Sequence, residues 1–306
     1  MLLALSVCPA MAWNAGGHRI TAQIAWDSMD GETRSAVVEL LRRHPDYERW
    51  QVRAKGGDPG LTAFLEASTW PDDIRVDSRF YTAGAEPPTV TQAGFPDMER
   101  RANWHYLDRP LTPEMKLPQP SGRLDRQLVS LGRTVGDPRA PLSERAYALP
   151  WLIHLVGDAH QPLHAASRYR ADGQSDAGGS HLMIINPLAA TNRQAMSLHR
   201  YWDDLPAPPW LRGSRLETEA RALIGQYGVA PDSGEPEQWI DESWRIARQH
   251  AYPPEDASAV PTIGEDFHAT ARAIARRRVV EAGYRLADLL RRLLRHSGEP
   301  GAVLRR

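Results

Sequence analysis

Apolar residues recur at helical spacing along most of this 306-residue chain. They lie three and four residues apart from Ile20 to Met29 and again, after Asp30 and Gly31, from Ala36 to Leu41, which is the pattern of amphipathic helices. Alternating, strand-like segments are scarce. Further helices are predicted at about 61–68, 123–134, 142–158, 197–203, 215–227, 237–250 and 266–294. The pattern therefore predicts an all-α fold.

Three segments between these helices lack periodicity. Residues 81–96 and 110–121 are rich in Pro, Gly and Thr, and residues 170–180 are rich in Gly, Asp and Ser. Because long irregular segments in compact domains are often functional, the first two are expected to rim a cleft.

The charge balance excludes one class of protein. Lys and Arg number 37 and Asp and Glu number 38, for a formal net charge of −1, so the chain lacks the overall positive charge of a classical nucleic-acid-binding domain. A polyanionic substrate would have to be held by local charge. No run of eighteen apolar residues occurs, so the sequence predicts no membrane span.

The first twelve residues are apolar, uncharged and end in Ala10-Met11-Ala12, the small-x-small pattern that signal peptidases cut. We expect a signal peptide at 1–12, cleaved before Trp13, and export to the periplasm or the medium. An apolar N-terminal strand or helix is the alternative. Because Cys8 is the only cysteine, the processed chain would form no disulfide. The last residues, 296–306, are expected to form a flexible tail.

The most informative segment is H-L-V-G-D-A-H-Q-P-L-H, residues 154–164, which ends the predicted helix 142–158. His154 and Asp158 lie one turn apart on one helix face, which can present two ligands to one metal. His160 would point away from that face. Pro162 should end or kink the helix, so that His164 could serve a second metal, and Pro150 should likewise kink or end it earlier.

His199 and Asp203 repeat the same spacing. For one such pair, the simpler explanation is a half-buried histidine held by a carboxylate one turn away. Three more candidates, each beside a tryptophan, are weak separately, because a neighbouring tryptophan mostly indicates core packing, but the whole His/Asp/Trp pattern is hard to obtain by chance and favours metal binding. The three candidates are His18, Asp72 and His105.

Together these segments resemble the S1/P1 family of zinc-dependent nucleases. The family motifs W-x-x-x-G-H, W-x-D-x-x-R, W-H-Y/F-x-D, H-x-x-x-D-x-H-Q-P-L-H and N/S-L-H-x-x-W-D occur here in this order, from Trp13 to Asp203. The resemblance implies a single, mainly helical domain of the phospholipase C/P1 nuclease type at 13–295, with long loops around a cleft that holds three zinc ions.

The resemblance also implies a ligand set for each zinc ion. The first ion would be held by Asp72, His105, His154 and Asp158. Its neighbour would be held by His18, a bridging Asp158, and the α-amino group and carbonyl oxygen of Trp13. The separate ion would be held by His164, His199 and Asp203. Since an α-amino group is free only after cleavage, export processing would complete the centre.

The reaction implied is zinc-assisted attack of water on phosphorus, without a covalent enzyme intermediate. Asp72, Asp158 and Arg75 would take part in catalysis, Arg75 by holding phosphate oxygens. Tyr106 would stack on a base while Asp108 accepts from its edge. The expected protein is a monomer that cuts single-stranded DNA and RNA to 5′-phosphorylated products, dephosphorylates 3′-nucleotides and needs no membrane.

The chain departs from the family pattern at a few positions. Ser180 stands where the family usually has Asn, and the following His181 is expected to be exposed or to lie near a ligand rather than to bind metal. Asp204 replaces an amide or small polar residue, which could alter substrate contacts. The lysine of the family's base pocket has only Lys116 as a loose counterpart.

Two other functions remain open at the level of the sequence. A zinc phospholipase C shares the three-metal site, although Tyr106, Asp108 and the H-Q-P-L-H string favour the nuclease branch. A non-catalytic zinc protein would close every site with protein ligands. The separate ion has only three protein ligands in this scheme, which favours catalysis.

Overall fold

The computed structural model describes residues 13–54, 57–112, 121–170, 172–190, 194–229, 233–254 and 260–295. The signal peptide predicted at 1–12, the tail predicted at 296–306 and Lys116 lie outside the described residues.

Helices dominate the described chain, which confirms the all-α prediction. They are α1 (Ala15–Ser28), α2 (Gly31–Leu41), α3 (Tyr47–Gln51), α4 (Pro59–Ala67), α5 (Trp70–Asp73), α6 (Leu124–Gly136), α7 (Leu142–Asp158), α8 (Leu198–Asp203), α9 (Gly213–Tyr227), α10 (Pro236–Ile246) and α11 (Glu265–Arg295). Two 3₁₀ turns, at Ala102–Trp104 and Pro162–His164, and a π-helical turn at Ala247–Ala251 complete the helical structure.

The only sheet in the described ranges is a two-stranded antiparallel ribbon. It pairs β1 (Met183–Ile185) with β2 (Ala195–Ser197), with Ile184 opposite Met196. The segments predicted to be irregular at 81–96 and 170–180 contain no helix or ladder strand where they are described. Of the loop predicted at 110–121, residues 113–120 lie outside the described part of the chain.

Helix α7 is the central helix of the fold. Every residue from Arg145 to Asp158 is buried, as expected for a helix that is covered on all sides, and α7 packs against α1, α2, α4, α5, α6 and α11. The helix does not end at Pro150, although that residue has no N–H to donate. Neighbours on every side hold the helix together across this position, so His154 and Asp158 remain on one continuous helix.

The apolar core consists of two clusters. One surrounds α7 and includes Trp70, Trp151 and Leu155. The other includes Trp13, which precedes α1, Leu163 in the turn after α7, and Leu198 and Trp202 on α8. The segments that carry the predicted metal ligands are therefore held by rigid packing on both sides.

Candidate metal centre

Eight of the predicted ligand side chains come together inside the protein. They form three groups in which one nitrogen or carboxylate oxygen per residue lies within 4.8 Å of the others. These groups are His18, His154 and Asp158; Asp72, His105 and His154; and His164, His199 and Asp203. The first two groups share His154 and form a pair, whereas the ligand sets implied by the family resemblance share Asp158; the third group has no member in common with them.

Asp158 lies at the centre of the paired groups. Its Oδ1 is 3.4 Å from Nε2 of His18, while its Oδ2 is 3.1 Å from Nδ1 of His105 and 3.4 Å from Nε2 of His154. Asp72 Oδ1 completes the second group at 3.8 Å from His154 Nε2. The two oxygens of Asp158 thus face different groups, which is the geometry a bridging carboxylate requires.

Gly157 makes room for His18. The imidazole of His18 stacks on that of His154 with ring centroids 3.9 Å apart, and a Cβ added to Gly157 would lie 2.8 Å from His18 Nδ1. His18 itself is placed by the start of α1, where the Asn14 side chain accepts from the N–H groups of Gly16 and Gly17. A capping residue and a glycine therefore position this ligand.

In the separate group, Nε2 of His164 is 3.1 Å from Nε2 of His199, and His199 Nε2 is 3.7 Å from Oδ2 of Asp203. His164 reaches this group because α7 ends at Asp158 and the chain turns at Pro162, as Pro162 predicts. His199 and Asp203 follow one helical turn apart on α8.

Backbone carbonyls orient three of the imidazoles. Nδ1 of His154 donates to Ser68 O at 2.8 Å, Nδ1 of His164 to His105 O at 2.6 Å, and Nδ1 of His199 to Gly178 O at 2.7 Å. When Nδ1 carries the proton and donates, Nε2 keeps the lone pair that can bind a metal ion. This is the usual arrangement of metal-binding histidines. All three Nε2 atoms face their metal groups.

Several ligand atoms in this centre are buried without a hydrogen-bond partner among the described residues. They include Nε2 of His18, Oδ1 of Asp158 and Oδ2 of Asp203. Buried polar atoms normally have hydrogen-bond partners, and an ion-binding site is one place where they lack them. Nitrogen and carboxylate ligands of this kind fit zinc, so the side chains suit the metal that the resemblance implies.

Burial also sets the protonation of the bare ligands. Desolvation, reinforced by neighbouring histidines, holds the pKa of His18 well below its ordinary value, and desolvation does the same for His105. Burial raises the pKa of Asp158 and of Asp203 well above the usual range. The site therefore keeps imidazoles neutral and ready to bind a cation, while its carboxylates gain from a bound positive charge.

The predicted catalytic arginine lies at the edge of the paired groups. Arg75 Nη1 is 3.3 Å from Asp72 Oδ1, and the Arg75 side chain is 7% exposed. Both residues come from the short helix α5 and its end, so the W-x-D-x-x-R spacing puts the guanidinium beside a predicted metal ligand.

The predicted base-binding residues flank the same region. Tyr106 is half-buried, and burial raises the pKa of its hydroxyl. Asp108 is buried, with Oδ2 accepting from Ser121 Oγ at 2.6 Å and Oδ1 accepting from Ser167 Oγ. Both oxygens of Asp108 thus already accept hydrogen bonds within the protein.

The departures from the family pattern also have places in the structure. His181 is exposed, as predicted. Asp204 accepts from Asn14 Nδ2 at 2.8 Å and so holds the first described residues. Ser180 Oγ is buried without a partner among the described residues.

Two functional features were not found from the sequence. Gln161 contacts the ligand Asp203, and Gly157 gives His18 its space. Both residues lie inside the 154–164 motif, and this location is the only indication of a functional role that the sequence offers. His160 points away from the metal groups, as predicted, and Arg285 Nη1 lies 3.0 Å from its Nε2.

Fold and site together define a helical protein with a candidate multinuclear His/Asp metal centre. Residues 13–295 match the family described as S1/P1 Nuclease. The chain belongs to the S1/P1 nuclease family and is a nuclease. In the described ranges, no helix is long and apolar enough to cross a membrane.

Curated relatives agree with this assignment. Endonuclease 3 of Arabidopsis thaliana is 24% identical over 310 residues, which cover 96% of this chain and 92% of the relative. Endonuclease 5 of the same plant is 26% identical over 310 residues, covering 93% and 91%. Nuclease S1 of Aspergillus oryzae is 24% identical over 244 residues, covering 75% and 67%.

Proposed function

We propose that this protein is a zinc-dependent endonuclease that cuts single-stranded DNA and RNA to 5′-phosphorylated products and also dephosphorylates 3′-nucleotides. The observation that carries the proposal is the convergence of eight His and Asp side chains into three groups with unpartnered ligand atoms. Three groups favour three zinc ions, and family membership favours a phosphodiester substrate.

The first two zinc ions would share Asp158, whose two oxygens face different groups. The third would be held by His164, His199 and Asp203. When bound, zinc supplies a water of lowered pKa and positive charge for the phosphate oxygens. Arg75, beside Asp72, would bind non-bridging oxygens and neutralise charge as it develops on them.

Substrate preference would come from Tyr106 and Asp108. A half-buried ring at the edge of the centre can stack on any base, which gives little sequence preference. A paired base cannot reach such a surface without leaving its helix, so single strands are favoured. To accept a hydrogen bond from a base edge, Asp108 would have to give up a hydrogen bond from Ser121 or Ser167, or accept a further one beside them.

The proposal includes export and cleavage before Trp13, which would free the α-amino group for metal binding. The positions of Trp13 and Asn14 support this part of the proposal. Trp13 is fully buried, and the N–H of Asn14 donates to the carbonyl oxygen of the ligand Asp203 at 3.1 Å. Asn14 therefore lies against the end of α8. The periplasm or the medium is the proposed location, and a monomer is the proposed state.

The test is release of 5′-mononucleotides from single-stranded DNA by the protein beginning at Trp13, with zinc present and after chelation. We expect release that stops on chelation and returns with zinc. The same preparation is assayed on 3′-nucleotides and on phosphatidylcholine vesicles. A folded, zinc-loaded protein that releases only the lipid headgroup is a phospholipase. One that releases nothing is a non-catalytic zinc protein.

A further inference from the structure

Gln161 is a residue of the 154–164 motif that neither metal binding nor base binding explains. Its side chain is fully buried, and it lies in the turn between the end of α7 and the 3₁₀ turn Pro162–His164. A buried amide must find partners for both its donor and its acceptor. Its partners are Asp203 of the separate metal group and Leu163, the residue before His164 of that group.

The Gln161 amide joins two ligand-bearing elements. Its Nε2 donates to Oδ1 of Asp203 at 2.8 Å, and its Oε1 accepts from the N–H of Leu163. Leu163 directly precedes the ligand His164, whereas Asp203 ends α8. One side chain therefore fixes the turn that carries one ligand and the carboxylate of another.

This contact distinguishes the two oxygens of Asp203. Oδ1 is taken up by the Gln161 amide, while Oδ2 lies 3.7 Å from His199 Nε2 and has no hydrogen-bond partner among the described residues. A carboxylate whose one oxygen is held in this way can rotate little. It presents the other oxygen to the metal group.

We propose that Gln161 is a positioning residue for the separate metal group. Its amide N–H group holds Asp203 so that Oδ2 faces His164 and His199, and its amide oxygen holds the His164 turn. The inference rests on the proposed zinc function. Removing such an outer partner typically costs about 10–100-fold in metal affinity.

The test is the zinc affinity of Gln161→Glu. Glutamate keeps the size of the side chain and an acceptor for the Leu163 N–H, but it replaces the donor to Asp203 with a second carboxylate oxygen. Zinc is titrated against a competing chelator in the protein that begins at Trp13. We expect three zinc ions in the parent protein and, in the variant, about 10–100-fold weaker binding of one ion with the other two unchanged.

Gln23→Glu is the matched control. Gln23 is also buried, and its amide donates to the carboxylate of Asp27 at 3.1 Å, away from the metal groups. The same chemical change there should leave all three zinc affinities unchanged. In cobalt(II)-loaded protein, the absorption spectrum of Gln161→Glu should differ from that of the parent at one site. The spectrum of Gln23→Glu should match that of the parent.

The possible results separate the two proposals. Three zinc ions with unchanged affinity in Gln161→Glu would overturn the positioning role and leave the proposed function intact. A parent protein that binds zinc only at the paired groups would overturn both. If Gln161→Glu does not fold, as judged by its helical circular dichroism, Gln161→Met decides, because it removes the donor without adding charge. Full zinc affinity in Gln161→Met would then overturn the role.

Discussion

At the residue scale, the space around His18 depends on the absence of one side chain. Gly157 is a helical glycine whose added Cβ would lie 2.8 Å from His18 Nδ1. We expect Gly157→Ala to push the imidazole away from Asp158 and to lower zinc occupancy of the paired groups, with about 10-fold or greater loss of nuclease activity. Zinc content after dialysis measures the first effect directly.

Gly225 offers the control for this prediction. It also lies within a helix, α9, but a Cβ there would meet nothing within 4 Å. Gly225→Ala should keep full zinc content and raise stability by up to about 1 kcal/mol, because alanine favours helix. Full zinc occupancy in Gly157→Ala would contradict the role assigned to this glycine.

His44 makes stability depend on pH. Its ring stacks on Trp50, its Nδ1 accepts from the N–H of Asp46, and burial, with Arg79 adding to it and Asp46 opposing it, lowers its pKa to about 3. Above pH 6.5 both folded and unfolded chains keep His44 neutral. Between pH 6.5 and about 3 only the unfolded chain takes up the proton, so stability falls, by about 2.5 kcal/mol at pH 4.5.

The measurement compares the parent protein with His44→Gln by urea unfolding at pH 7.0 and 4.5. The variant should be the less stable protein at pH 7.0, since it loses the stacking on Trp50. That difference should shrink by about 2.5 kcal/mol at pH 4.5. An equal difference at both pH values would show that His44 is protonated in the folded protein.

Spacing alone predicted the His/Asp pairs on α7 and α8, the other candidate ligands came from the resemblance to the family, and the orientation of these side chains could not be predicted. The i, i+4 pairs on α7 and α8 follow from helix geometry alone. The carbonyls that fix the imidazoles belong to residues far along the chain, such as Ser68 for His154, so only the fold determines them. The two serines that bind Asp108 are likewise 13 and 59 residues away.

At the scale of elements, a buried ionic cluster joins α10 and α11 to the turn after α7. Arg278 and Arg285 both donate to Glu242, at 2.7 and 2.6 Å, and Arg285 also contacts His160. Both arginines are buried, while a third of the Glu242 side chain is exposed. The cluster holds His160, and with it the start of the turn that carries His164.

Neutralising Glu242 should be costly. We expect Glu242→Gln to lower the free energy of unfolding by about 2 kcal/mol, because it removes the carboxylate that two buried guanidinium groups share, while Arg278 keeps its ion pair with Glu281. The control is Glu39→Gln, at the exposed pair with Arg43, where the change should be about 0.5 kcal/mol or less. Urea denaturation measures both, and equal effects would show that the cluster adds no more than a surface pair.

Long helices could be predicted from the sequence, and so could the six-residue α8, but two shorter helices could not. Periodicity predicted α4 and α6 to within a few residues, because each spans several turns with one buried face. It did not predict α3 or α5, which have five and four residues, too few to show a period. The π-helical turn after α10 also carries no signal that separates it from the helix predicted at 237–250.

At the scale of the whole molecule, the metal centre lies between packed elements and should contribute to stability. We expect removal of zinc by a chelator to lower the melting temperature by more than about 10 °C, since each tightly bound ion adds about 4 kcal/mol at 1,000 times its Kd. Helical circular dichroism at 25 °C should change little, because both apolar clusters remain. A melting temperature that is insensitive to chelation would contradict this.

The burial of Trp13 bears on the cleavage proposed before this residue. Trp13 is fully buried, and Asn14 is fixed both to the first turn of α1 and, through Asp204 and the carbonyl of Ala207, to the segment after α8. A protease that cuts before Trp13 could not bind an extended stretch of chain across that bond once the fold has formed. If the proposed cleavage before Trp13 takes place, it would therefore precede folding, and folded, uncleaved protein would not be processed further.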